Sequence, residues 1–311
     1  MLKNEMSKRW NFDNEFLNIY KSVVKTLKNG GRLGPDVSNI GSDVNTLDLR
    51  GASFELLTIK NCLINNVDFS YSSFRNCWLE NLKFENCYFY KVDLSQISDH
   101  NNTFINCNFV ECNFNGAGIG YKGSKIISSK FEKCNFTRTI FNRPEFVDVK
   151  FEKCKLKNID FSASSFESCS FEGLLNNVWF RGGFPLQSLI NTFGQPKKNE
   201  MKFVSFENAE LIDLTFSDNC DLSSVSVGNS DIYIKFDHWK NRLDQLKVNL
   251  KDWEELERKE AEIFFDVYSV HAVKQDWYIL SRYDIDKQYG KEISEKIINT
   301  MMYYNNKPYS K

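Results

Sequence analysis

Nine cysteines, three histidines and a run of lysines are the residues of this 311-residue chain with the most chemistry to offer. Cysteines at paired spacing would hold zinc or close disulfides, but no C-x-x-C pair occurs. Cys62, Cys77, Cys87, Cys107, Cys112, Cys134, Cys154, Cys169 and Cys220 instead each stand two residues ahead of a large apolar side chain. That placement reads as small, buried, reduced hydrophobes. His100, His238 and His271 are far apart and lack motif spacing, and Tyr121-Lys-Gly-Ser falls short of a phosphate loop. No catalytic set emerges, so no enzyme, metal or cofactor is expected.

The elements that carry these residues follow from a beat of five. Phe131-Glu-Lys-Cys returns as Phe151-Glu-Lys-Cys after twenty residues. Between and beyond them Phe136, Phe141, Phe146, Leu156, Phe161, Phe166 and Phe171 keep the step, and Leu49 to Leu94 keeps it earlier. Helical burial recurs near 3.6 residues and strand burial at 2, so a sustained five is an internal repeat. Each unit points one small and one large side chain inward, and four units close a square of twenty residues. A mainly β, four-sided solenoid is expected, with Phe69, Phe89, Phe109, Phe131, Phe151 and Phe171 in one column. Asp99 occupies a position due to Leu or Phe, which predicts a loop or distorted corner there. The glycines between Gly116 and Lys125 absorb a two-residue offset.

The units Ala52-Ser-Phe-Glu-Leu, Val67-Asp-Phe-Ser-Tyr, Val92-Asp-Leu-Ser-Gln and Ile159-Asp-Phe-Ser-Ala resemble the pentapeptide-repeat family over roughly residues 45 to 235. The resemblance implies a right-handed quadrilateral parallel β-helix. Some members resemble a DNA duplex in shape and charge, bind type II topoisomerases such as gyrase in its place, and dimerise through C-terminal helices. Mimicry of DNA needs a strongly negative surface, whereas residues 45–183 carry about as many bases as acids.

Three parts are expected: an N-terminal helical cap (1–44), the repeat rod (45–235, interrupted near 182–202) and a C-terminal helical domain (236–311). Asp13 can cap a helix whose apolar stripe runs from Phe12 to Leu27, and a solenoid end needs such a cover. In the C-terminal part Trp239, Leu243, Leu246 and Leu250 share a face, Trp253, Leu256, Phe264, Val267 and Val270 continue a second helix, and Ile293 to Met301 suggest a third.

Formal net charge is −1 and no apolar run is long enough to span a membrane, so neither a membrane nor direct nucleic-acid binding is expected. The first residues lack the apolar core of a secretion signal, and a cytoplasmic location is expected. The reading is a non-enzymatic scaffold that docks a protein. Candidate contacts are Trp78, Tyr88, Tyr90 and Phe184, with Lys130, Lys133, Lys150 and Lys153, which share a face with Glu132 and Glu152. Those lysines suit a phosphate or acidic partner, or else an ion-paired, solvated face. Trp239, Trp253, Phe264 and Trp277 are the candidates for self-association into a homodimer.

Overall fold

The computed structural model describes residues 2–35 and 45–303; the expected boundary at 44/45 and the final residues of the C-terminal part lie outside them. Every five-residue step is made alike. A short extended piece buries its central large residue, and the residue two places on turns the corner in the left-handed region, every fifth position from Leu56 to Glu111. That region costs most residues ~1–2 kcal/mol but asparagine less. Asparagine accordingly stands at Asn61, Asn66, Asn76, Asn81, Asn86, Asn101 and Asn106. Stacked corners are tied by their amides, Asn101 donating to Asn81 at 2.8 Å and Asn106 to Asn86 at 2.7 Å.

Four such steps make a coil. Its sides are represented by Thr58–Lys60, Cys62–Asn65, Val67–Asp68 and the bridging residue Ser73. Each side pairs in parallel with its counterpart about twenty residues on: Ile59 with Leu79, Ile64 with Phe84, Asp68 with Tyr88, Ser73 with Asp93. The third side carries nine rungs, from Leu47–Asp48 to Ser226–Val227. At ~4.8 Å between rungs the rod is roughly 38 Å long. The product is a right-handed, four-sided parallel β-helix of about nine turns with helices at both ends. The phenylalanine column forms as expected, with ring centroids 4.5–5.2 Å apart, and Phe206 extends it beyond Phe171. All nine cysteines are free and buried. Several thiols donate to the carbonyl of the coil before them, Cys77 to Phe54 and Cys154 to Phe131 among them.

The distorted corner expected at Asp99 is not there. Ser98–His100 is a regular strand with Asp99 buried at its centre. The carboxylate accepts from the Gly120 amide at 2.7 Å and from the Asn102 side chain, and Ser124 Oγ accepts from the Asn102 amide. The irregularity lies one coil later, where register shifts between Gly118 and Tyr121 and Gly120 and Gly123 take φ of +92° and +83°. Asp99 serves that inserted turn: a leucine could not satisfy its buried amide.

Two helices cover the first coil. The expected one, α2 (Asn14–Asn29), is capped by Asp13 as read, and α1 (Leu2–Phe12) precedes it unforeseen. Tyr20 stacks on Phe54, and Val23 and Leu27 are buried. Gly31–Leu33 then pairs with Cys62–Ile64, so the sheet takes in residues ahead of 45. The rod is interrupted after Arg181 by an excursion holding α3 (Gln187–Phe193).

At the far end Tyr233–Phe236 pairs antiparallel with Tyr278–Ser281, and four helices gather around them: α4 (Trp239–Asn249), α5 (Glu255–Ala272), α6 (Arg282–Tyr289) and α7 (Lys291–Met302). Three were expected. Ile232 is exposed, because the chain has left the rod by then. Buried Gln275 ties this unit to the last coil: its Oε1 accepts from the Cys220 amide and its Nε2 donates to the Cys220 carbonyl. Among the described residues no helix is long and apolar enough to cross a membrane.

Candidate functional site

The first side of the rod carries a line of rings. Trp78 and His100 lie on neighbouring strands and stack at 3.9 Å; His100 stacks on Tyr121 at 5.2 Å. Tyr121 meets Phe193 of α3 at 5.9 Å, and Phe193 meets Phe184 at 5.9 Å. Two details seat it. A Cβ on Gly118 would lie 2.6 Å from the Tyr121 ring, so a glycine lets that ring lie against the strand. Arg143 Nη1 donates to the Gln195 carbonyl at 3.0 Å and ties the excursion to the rod. Two sequence candidates, Trp78 and Phe184, thus belong to one surface. Trp78 is 39% exposed and Leu186 beside Phe184 is 61% exposed, while Phe184 itself is buried.

Charge frames the line. Glu80 bonds Lys122 at 2.6 Å and Lys60 at 2.9 Å and accepts from Trp78 Nε1; the two lysines hold its carboxyl down at about 2. His100 Nε2 lies 2.7 Å from Ser98 Oγ. Burial, then the Lys122 charge, pushes the imidazole below its ordinary value, so it sits neutral between its two aromatic neighbours.

Other candidates separate. Tyr88 and Tyr90 are on the third side, opposite Trp78, where Tyr90 packs on Tyr71 and under Lys91. Sequence placed these rings outward but did not resolve which side each occupied. The lysines form a ladder with glutamates: Lys130 pairs with Glu132 and Glu152, Lys133 with Glu132 and Lys153 with Glu172. Lys150 stands exposed in register between Lys130 and Ser170. Acid and base therefore alternate along this face.

The self-association candidates need correction as well. Trp239 and Phe264 are wholly buried in their own unit, Trp239 stacked on Tyr278 and Phe264 tilted against Tyr268. Trp253 and Trp277 are half-buried, each beneath a lysine, Lys296 and Lys235. What α5 exposes instead is a stripe at helical spacing: Leu256 (73% exposed), Ile263, Val267, Val270 and Val273. Of the apolar residues placed on this second helix Phe264 is buried, with Ala261 and Ala272, while Leu256, Val267 and Val270 are exposed.

Residues 100–178 match the family model described as a pentapeptide repeat region. The chain is similar to full-length QnrB1, a plasmid-mediated fluoroquinolone resistance protein, at 11% identity over 55% of this chain and 92% of that one, with a TM-score of 0.32. It is also similar to HetL, a pentapeptide repeat protein involved in heterocyst differentiation regulation from the cyanobacterium Nostoc, at 9% identity over 67% and 92%, with a TM-score of 0.36. No curated protein matches.

Proposed function

With residues 100–178 belonging to the pentapeptide-repeat family and the same geometry running from Leu47 to Val227, we propose that this chain is a scaffold without catalytic activity, a stiff rod that docks a protein partner. The observation that carries the reading is the aromatic line from Trp78 through His100 and Tyr121 to α3. Large rings at a surface bury much area at little entropic cost and anchor interfaces. Phosphate or DNA-like partners are less well served, because the lysines are matched by glutamates along the same rungs.

The rod is proposed to act as a pair. The α5 stripe offers unpartnered aliphatic surface, and two-fold dimers are the commonest assemblies.

Capture from native lysate tests the docking face. Trp78→Ala and Leu186→Asp are expected to lose the retained protein, while Tyr88→Ala on the opposite side keeps it. Equal retention by all three rules this face out. Recovery of gyrase subunits would bring forward the topoisomerase reading that the family resemblance implies.

A further inference from the structure

A cavity of about 260 Å³ lies between the last coil and the C-terminal unit. The rod supplies Trp179 and Asp213; the C-terminal unit supplies Tyr268, His271, Tyr278 and Asp284. Sites for drug-sized molecules run to roughly 300–1,000 Å³, so an occupant here is small. Its walls carry two carboxylates and no lysine or arginine. Among the described residues neither Asp213 nor Asp284 has a basic side chain within ion-pair distance. Arginine is at hand, since Arg181 lies over the Trp179 ring, yet its ion pairs are with Asp160 and Asp218.

The two acids also differ in use. Asp284 accepts from the Asp213 amide at 2.8 Å, which fixes its position. The Asp213 carboxylate is exposed and makes no such contact. Both act on the same wall. Burial first, then neighbouring charges that include Asp284 and Asp213, pushes the Tyr268 hydroxyl up. The remaining polar lining is Thr215, Ser281, Gln288, the His271 imidazole and the hydroxyls of Tyr233 and Tyr278, each with an oxygen or nitrogen able to accept a hydrogen bond.

We propose that this cavity binds a small alkylammonium ion, its charged head between Asp213 and Asp284 and its stem against Trp179 and Tyr268. An unpaired carboxylate pair at the mouth of a partly apolar cavity lacks a donor-rich cation, and a primary ammonium brings three donors and an apolar tail. The ligand would touch both rod and C-terminal unit, and its binding would strengthen their junction. None of these residues belongs to the aromatic line, so the proposal stands apart from the docking reading; Val267 of the α5 stripe does line the cavity, so the titration is also run on Ile263→Glu, which lies outside it.

Calorimetric titration of the full chain with n-butylammonium chloride tests it, with n-butanol as the uncharged counterpart. Saturable binding of the amine is expected, with butanol at least about tenfold weaker, as loss of charge-assisted hydrogen bonds implies. Asp213→Asn, at an exposed position that should leave folding intact, is expected to weaken the amine by a similar factor, and saturating amine should raise Tm. No saturable binding at tens of millimolar, butanol matching the amine, or an unchanged affinity in Asp213→Asn each overturns the assignment.

Discussion

Leu56 turns its corner at φ 62° with its side chain 75% exposed, so it bears left-handed strain without burying anything in return. Leu56→Asn is expected to stabilise the chain by about 1 kcal/mol in chemical denaturation. Inside the coil the opposite holds. Phe151 is buried between Phe131 and Phe171, at 5.2 and 4.8 Å, and Phe151→Ala should cost about 3–5 kcal/mol. Burial also pushes the thiols of Cys169 and Cys220 up to about 12. Native thiol labelling is therefore expected to be slow at neutral pH and complete only after denaturation. The same shift has a sign. The folded state holds these protons more tightly than the unfolded chain, whose thiols titrate near 9, so stability is full below pH 9 and falls as pH rises toward 12. Sequence gave away the large and small inward positions because burial at a fixed phase is a one-dimensional signal. It hid the corner rule, since Leu56, Tyr71, Lys91 and Glu111 turn as Asn61 does.

Among elements, α1 is held chiefly through one carboxylate. Asp48 takes two bonds from Arg9, at 2.8 and 2.6 Å, and two from the Arg50 side chain, while Arg9 and Trp10 also donate to the Arg50 carbonyl. Burial alone would push the Asp48 carboxyl up; the two arginines overcome it and hold it well below the ordinary value of 3.8. Its contribution is present above pH 4 and is lost as pH falls through the depressed value. Asp48→Asn should cost about 2 kcal/mol and open α1 to protease before the rod is cut. Nothing in residues 1–12 announced this helix, because its anchor is an ion pair across 39 residues and its buried ring, Trp10, packs on Phe16 and Tyr20 of the next helix. Gln275 was equally invisible: its role depends on the backbone of Cys220, 55 residues away. The helical stripe of α5 was legible as a periodicity, but which flank faced the core depended on the unforeseen strand Tyr278–Ser281.

For the whole molecule, the α5 stripe is exposed aliphatic surface, and its partner decides the assembly. Sedimentation velocity at tens of micromolar is expected to show a dimer for the full chain and a monomer for Ile263→Glu with Val267→Glu, at exposed positions that leave the fold unchanged. A monomeric parent chain would end the pairing proposal. One feature of the rod bears on how such a chain can change. Phe206 stacks on Phe171 at 5.0 Å although 34 residues lie between them, as many as the excursion and its flanks require. The solenoid therefore counts turns rather than residues, and the stretch after Arg181 behaves as a splice point. A foreign peptide grafted into that stretch, returning the chain at Asn199, should be displayed on the rod without disturbing the stacking on either side, which makes the interruption a ready port for new binding specificities.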